Sequence, residues 1–580
     1  MDILSENLLV LSKYGIVLFS ILTLFRCLRS LLSERYESEV WAYVRVAGER
    51  IPITHWENII GRAPSSDVRV FAPGVSRVHA VISRDDQGKW KIYDVFSRGG
   101  VWVNDRRTDY DGFPLHNGDT INLAGTKITF IEPEDDKLRR IEQTRTTAGG
   151  SVSPLLTLIW LLLFQLSLLM QHLLSTEPEY IRPILISFSC IIVLEWLCYL
   201  AIRLVNLSGF ETETLAFYLT TLGLSVAISS TPDDLYKHSL LILVSVFSFL
   251  ILGWWLRNLK RTSALRIPFA LLSMALLGLN ILSGTTISGA TNWLSIGGYS
   301  FQPSEFVKVA YVYVGASTLD KLYMKKNLYV YVAFSAVCVL ALALMGDFGS
   351  ALVFFISYLI ISFMRSGSLA TVVLSVSGAV MAGLMAITVK PYIAARFSSW
   401  GHAWEDIYDS GYQQVRTMSA AAAGGLFGKG AGRGWLKSIV AANTDMVFGI
   451  ISEELGMIIA FCSVLAVIAI ALFAIRSAKH SRSTYYAIGA CATVTILLSQ
   501  LSLNVFGSMD MLPFTGVTFP FISRGGSSLI SCWMLMSFIK SADNRRGGSF
   551  AVRSASSYKR PDEYAVDDNE QYIPDAEEEM

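Results

Sequence analysis

The chain has 580 residues, of which 52% are hydrophobic and only 16% charged, with a formal net charge of +1. A soluble chain of this length carries charge on nearer a quarter of its residues, and a balance this close to neutral gives no ground for a nucleic-acid partner. The apolar residues gather into runs of helix length, which excludes an ordinary soluble domain and predicts a polytopic α-helical membrane protein.

The first apolar run, about Leu8 to Leu28, has no small-residue cleavage site and reads as a retained anchor within residues 1–35. Residues 36–135 break the pattern. Charge rises and short alternating runs appear, "KWKIYDV", "TINLAG" and "KITFIEP", with turn signals such as "HNGD", which predicts an all-β sandwich. Residues 136–152 read as a polar linker. About twelve apolar spans follow from Ser153, two in 153–205 and ten in a core over 206–541, making about thirteen in all. The tail, 542–580, is polar and predicted to be disordered. Basic clusters at 26–30, 137–140, 257–266, 321–327, 476–482 and 540–546 all fall on one side of a thirteen-span topology. The positive-inside rule makes that side cytoplasmic, together with the sandwich and the tail, and turns the loops at 284–302 and 390–446 outward. The seven cysteines lie within or at the ends of apolar segments without a CxxC pair, so they read as helix-packing residues.

The stretch "NTDMVFGIISEELG" (443–456) leads into an apolar run yet carries Asp445, Glu453 and Glu454. Ionisable groups at membrane depth are costly and mark functional sites. Asp445 falls where the outward loop re-enters the membrane. Asn443, Thr444 and Asp445 are also good N-caps for a helix beginning near Met446, so capping stands beside chemistry. Glu453 and Glu454 lie two or more turns deeper, where pairing with a buried base competes with reaction. Glu305 and Lys308 share a helix face at i,i+3, as an ion pair or as substrate contacts. Arg396, Lys429 and Arg433 in the outward loop are either anion-binding groups or solvated charges. "GGLFGKGAG" lacks the spacing of a P-loop.

Four stretches, "GATNWLSIGGYSFQPSEFVKVA" (289–310), "GDFGSALV" (346–353), "SGYQQVRTMSAAAAGGLFGKGAGRG" to "NTDMVFGIISEELG" (410–456) and "NVFGSMDMLPFTGVTFPFISRGGSSLI" (504–530), resemble the SEDS family, the FtsW/RodA/SpoVE proteins. The resemblance implies a bacterial plasma-membrane enzyme that polymerises lipid II into glycan strands during division, elongation or sporulation, with a class B penicillin-binding transpeptidase as partner. It gives Asp445 the role of general base toward the attacking sugar hydroxyl. It also implies that the helix carrying Glu305 and Lys308 lines a central cavity, with Trp293, Gln302, Arg396, Lys429, Glu453 and Glu454 as further substrate contacts. No metal ligands are implied; a divalent cation is the one cofactor left open. Asn292 and Arg524 depart from the family, which has Arg and Tyr at these places.

"IIGRAPSSDVRVFAPGVSRVHAVIS" (59–83), continuing through "DVFSRGGVWVND" and "LHNGDTINLAG", resembles a forkhead-associated (FHA) domain, a reader of phosphothreonine. The resemblance places the phosphate on Arg62 and Ser76 and the peptide backbone on Arg77, with His79 bracing the loop from within. Gly99 stands where the family has Asn. The ligand is then a phosphothreonine on a separate protein, or Thr144, Thr146 or Thr147 in the chain's own linker. Two other readings of the whole are a lipid II flippase, which would make no bond, and an inactive scaffold that recruits phosphoproteins.

Overall fold

The computed structural model describes the chain except residues 1–2, 34–39, 65, 86–87, 109–110, 134–151, 205–208, 288–289, 297–298, 320–324, 367–368, 390–399 and 544–580. Arg396, the threonines of the linker and nearly all of the tail therefore lie outside the described residues.

Alternation of apolar and polar residues between 42 and 131 produces the sandwich, because successive strand side chains point to opposite faces. Its strands are β1 Ala42–Val46, β2 Glu49–Ile53, β3 Glu57–Gly61, β4 Val68–Arg69, β5 Ala80–Arg84, β6 Trp90–Asp94, β7 Val101–Val103, β8 Arg106–Arg107, β9 Phe113–Leu115, β10 Thr120–Leu123 and β11 Thr126–Ile131. One sheet runs β2-β1-β11-β10-β7-β8 and the other β4-β3-β5-β6-β9. Val44, Ile82, Ile92, Val101, Val103, Ile121 and Phe130 fill the space between them.

The helices are α1 Ile3–Ser33, α2 Pro154–Ser175, α3 Ile181–Leu204, α4 Glu211–Ser230, α5 Leu235–Leu256, α6 Leu259–Ala264, α7 Arg266–Ser283, α8 Pro303–Leu319, α9 Lys325–Leu344, α10 Phe348–Ser366, α11 Leu369–Val389, α12 Tyr412–Gly424, α13 Ala442–Asp445, α14 Val447–Glu454, α15 Met457–Lys479, α16 Thr484–Ser508 and α17 Gly526–Ala542. Among the described residues nine helices are long and apolar enough to cross a membrane. The sequence predicts about thirteen spans, and the difference has a physical source. Helices α4, α8 and α17 are almost wholly buried inside the bundle and carry Glu211 and Glu213, Glu305 and Lys308, and Lys540. Helices α8 and α17 have only 17 residues each, the acidic and hydroxyl side chains of the 20-residue α4 make it too polar, and α11 is apolar only over the shorter stretch Leu369–Leu384. A three-stranded sheet of β12 Thr285–Ile287, β13 Ala290–Ile296 and β14 Tyr299–Phe301 joins α7 to α8.

The sandwich docks on the turn between α15 and α16. Trp56 N–H donates to the Arg482 carbonyl (2.7 Å) and the His55 ring Nδ1 meets the Ser481 carbonyl (2.8 Å). The Glu57 carboxylate accepts from Thr484 N–H (2.9 Å) and the Ser483 hydroxyl (3.1 Å), capping α16 from outside the helix. The Arg482 guanidinium lies over the Trp41 ring at 5.1 Å. At about 1.5 Å per residue, α15 separates this docking turn from Gly456 by roughly 34 Å, so the sandwich and the 443–456 segment lie at opposite ends of the bundle.

Candidate active site

Asp445 ends the single turn of α13. That turn is entered through Ala441, held in the left-handed region at φ 62°, a conformation an L-residue keeps only when its surroundings enforce it. The Ala441 carbonyl accepts from Asp445 N–H (2.9 Å) and Thr444 N–H (3.2 Å). The chain is then bolted to the 514–525 segment. Arg524 N–H donates to the Asn443 carbonyl (2.8 Å), the Ser523 hydroxyl donates to the Thr444 carbonyl, and Asn504 Nδ2 on α16 donates to the Asp445 carbonyl (3.1 Å) and the Val517 carbonyl (2.8 Å). Gly516 packs against the carboxylate. A Cβ there would stand 3.2 Å from Asp445 Oδ2. The residue at the N-cap of α14 is Met446, one position beyond Asp445. Asp445 is thus held rigidly by its backbone while its side chain remains half-buried.

Glu453 and Glu454 are buried and serve the glycine-rich loop. Glu453 pairs with Lys429 (2.7 Å) and accepts from Trp435 N–H (3.1 Å) and Leu436 N–H (3.0 Å). Glu454 accepts from the Ser229 hydroxyl (2.6 Å) and Gly432 N–H (2.9 Å). Their carbonyls accept from Lys429 N–H and Gly430 N–H, both at 2.8 Å. Side chains are excluded from several loop positions. A Cβ on Gly434 would stand 2.8 Å from Glu453 Oε2, and one on Gly428 would stand 2.2 Å from the Glu454 carbonyl. Glu453, Glu454 and Lys429, expected from the resemblance as substrate contacts, are brought together here: the two carboxylates hold loop amides, and Lys429, paired with Glu453, keeps its side chain 35% exposed. Arg433 remains exposed.

Glu305 and Lys308 on α8 pair at 2.7 Å, and the Ser531 hydroxyl on α17 donates to the same Glu305 oxygen (2.7 Å). Both side chains are 4% exposed or less, so the pair is buried between helices. Gln302 Nε2 reaches Asp347 Oδ2 (3.2 Å), and Asn292 Nδ2 lies 3.5 Å from the same oxygen. Asp347 Oδ1 also accepts from Ser350 N–H (3.0 Å), starting α10. Trp293 is half-buried on β13, and its carbonyl accepts from the Thr285 hydroxyl (3.1 Å).

Sequence reasoning missed Asp347, Asp234 and the Glu213–Lys540 pair. Asp234 binds Lys237 (2.8 Å) and the Arg524 guanidinium. Glu213 and Lys540 pair at 2.8 Å, fully buried. Only the placement of Asp347 in "GDFGSALV" and the lone lysine near the end of an apolar run offered a signal. A cleft of about 340 Å³ lined by Asp409, Ser410, Tyr412, Gln413, Ser438, Ile439 and Val440 adjoins the Asp445 turn through Val440. Asp510 accepts from Gly401 N–H and Ala403 N–H (both 3.1 Å), tying the loop before α12 to the same end of the bundle.

In the sandwich Arg62 and Arg77 are exposed on adjoining loops, and Arg62 N–H donates to the Ser76 carbonyl (3.0 Å). His79 is buried. Its Nδ1 accepts from Ser76 N–H (2.9 Å), so Nε2 bears the proton and donates to the Gly100 carbonyl (3.1 Å), tying the two loops together. The Ser76 hydroxyl accepts from Arg98 N–H (3.3 Å). Gly99 sits against the β10–β11 turn. A Cβ there would fall 2.3 Å from Ala124 Cβ and 3.0 Å from its Cα, so the family's Asn does not fit at this position.

These features define a polytopic helical membrane protein with a β-sandwich docked at one end and a fixed, solvent-reaching carboxylate at the other. The chain belongs to the FtsW/RodA/SpoVE family: the model of that family, described as a cell cycle protein, matches residues 212–547. The FHA domain model matches residues 58–124. The chain is 28% identical over 356 residues to the protein named Probable peptidoglycan glycosyltransferase FtsW of Borreliella burgdorferi, covering 59% of this chain and 94% of that one. It is 32% identical over 268 residues to the protein of the same name in Shewanella sediminis, covering 43% and 63%. The solved structure of the rod shape determining protein RodA of Thermus thermophilus matches with a TM-score of 0.42 at 23% identity, over 57% of this chain and 95% of that one.

Proposed function

We propose that the chain is a peptidoglycan glycosyltransferase that polymerises lipid II, with Asp445 as general base and the FHA domain as a phosphothreonine-dependent recruiting module. The observation that carries this reading is the setting of Asp445. Its backbone is fixed by Ala441 and Asn504, its carboxylate is half-buried beside Gly516, and the neighbouring carboxylates Glu453 and Glu454 are committed to the loop. A base must be held within reach of the proton it takes and stay open to the substrate. In the reaction the acceptor's sugar hydroxyl attacks the anomeric carbon of the donor and gives its proton to Asp445, while the bond to the lipid pyrophosphate breaks. Arg433, exposed on the glycine-rich loop, supplies positive charge for the departing pyrophosphate. In this reading this end of the bundle faces outward and the sandwich faces the cytoplasm, an orientation supported by the one-sided basic clusters of the sequence. Purified full-length chain, alone and with a class B penicillin-binding transpeptidase, is incubated with lipid II and assayed for glycan strands. Strands from the parent chain, alone or with that partner, support the reading, and their absence under both conditions overturns it.

A further inference from the structure

The glycine-rich loop between α12 and α13 is intrinsically soft. Gly425, Gly428, Gly430 and Gly432 all have positive φ, and glycine loses more conformational freedom on ordering than any other residue. Its inner side is held by Glu453 and Glu454. Its other side meets α2, which lies outside the family-matched residues 212–547. Gln171 Oε1 accepts from Ala431 N–H (3.0 Å), and the Ser175 hydroxyl donates to the Ala431 carbonyl (2.7 Å) while sharing the Gln171 carbonyl (2.8 Å). Both backbone groups of one loop residue are therefore satisfied by one appended helix. Its level along the bundle is itself fixed. Gln165 Nε2 donates to the Thr221 hydroxyl (3.2 Å) and Glu195 (2.9 Å), and two turns on His172 Nε2 meets the Ser225 hydroxyl (2.8 Å). Polar side chains of this kind join helices in an apolar medium, where packing alone leaves them free to slide. Thr221, Ser225 and Ser229 repeat every four residues on α4, and Ser229 ends the ladder on Glu454. From α1, Tyr14 meets Phe427 of the loop edge-on at 5.2 Å.

We infer that Gln171 and Ser175 are positioning residues: α2 is an appended brace that fixes the glycine-rich loop, and with it Arg433, over the site of the lipid-linked pyrophosphate substrate. The role of the loop toward substrate rests on the polymerase reading; the brace itself does not. Ala431 is 1% exposed, so a cysteine there reports loop opening directly. In full-length chain carrying Ala431→Cys, the rate of modification by a water-soluble maleimide is compared with and without Gln171→Leu and Ser175→Ala, after subtracting labelling of the native thiols. Each lost hydrogen bond, worth about 1 kcal/mol, raises the labelling rate about fivefold. Ser175→Thr, which keeps the hydroxyl, restores the parent rate. In chain without the added cysteine, the same variants raise KM for lipid II several-fold with kcat little changed. Should the double variant not fold, Ser175→Ala alone gives the same comparison. Labelling within twofold of the parent in Ser175→Ala and in any folded double variant overturns the brace. Raised labelling in a chain that makes no glycan strands keeps the brace and fails the polymerase reading.

Discussion

The sandwich and the membrane bundle treat charge in opposite ways. In the sandwich Arg62 and Arg77, the arginines that the resemblance assigns to a ligand, stand exposed on loops, and one buried His79 holds those loops in shape. In the bundle the charges are mostly turned on each other. Glu305 with Lys308 and Glu213 with Lys540 are pairs whose members compensate one another where water is excluded, and buried Glu453 is met by the partly exposed Lys429. A charged residue at membrane depth is thus a weak pointer to chemistry unless it also reaches solvent. Among the acidic residues of the 443–456 segment, Asp445 alone combines a fixed backbone with a side chain that is only half-buried.

That contrast can be broken most severely at the sealed pairs. Glu305→Ala or Lys308→Ala leaves one charge buried and uncompensated, a loss of roughly 3–5 kcal/mol, whereas the double variant is no worse than either single change. Thermal unfolding in detergent measures the cycle, and strictly additive losses would mean that the two act separately. In the sandwich, Arg62→Ala should leave stability unchanged and abolish binding of phosphothreonine peptides, since a charge-assisted contact is worth about 1.5–3 kcal/mol. Titration of the full-length chain with phosphorylated and plain peptides decides it. Gly99→Asn, which would restore the family residue, should cost about 1–3 kcal/mol through the clash with Ala124. Melting of the FHA domain, with Ala124→Gly added as partial relief, reads this. The smallest effect is expected at the junction: Glu57→Gln weakens the cap on α16 by about 1 kcal/mol, visible as faster hydrogen exchange at Thr484 and Tyr485.

Much of this was legible in the sequence wherever the determinants are local. Alternation marked the strands of 42–131, apolar runs marked most helices, and the i,i+3 spacing of Glu305 and Lys308 brought them together as neighbours on one face. What stayed hidden depends on partners far along the chain. Nothing near Lys540 announces Glu213, nothing near Ala431 announces Gln171, and nothing near Arg524 announces Asp234. Asn292 reads as a lost arginine, yet in the fold it lies beside Asp347, where an amide can still donate. Gly99 reads as a lost asparagine, yet Ala124 occupies the space that side chain would need. In each case the sequence shows the departure while packing supplies its reason.

As the proposed base of a glycan polymerase, Asp445 should be indispensable to strand formation. The direct measurement compares parent and Asp445→Asn in polymerising lipid II, each with the transpeptidase partner present. The amide keeps the shape and loses the basicity, so strand formation should fall by about 10²–10⁴-fold with the melting temperature unchanged. Strand formation by Asp445→Asn at the parent rate would rule out Asp445 as the base.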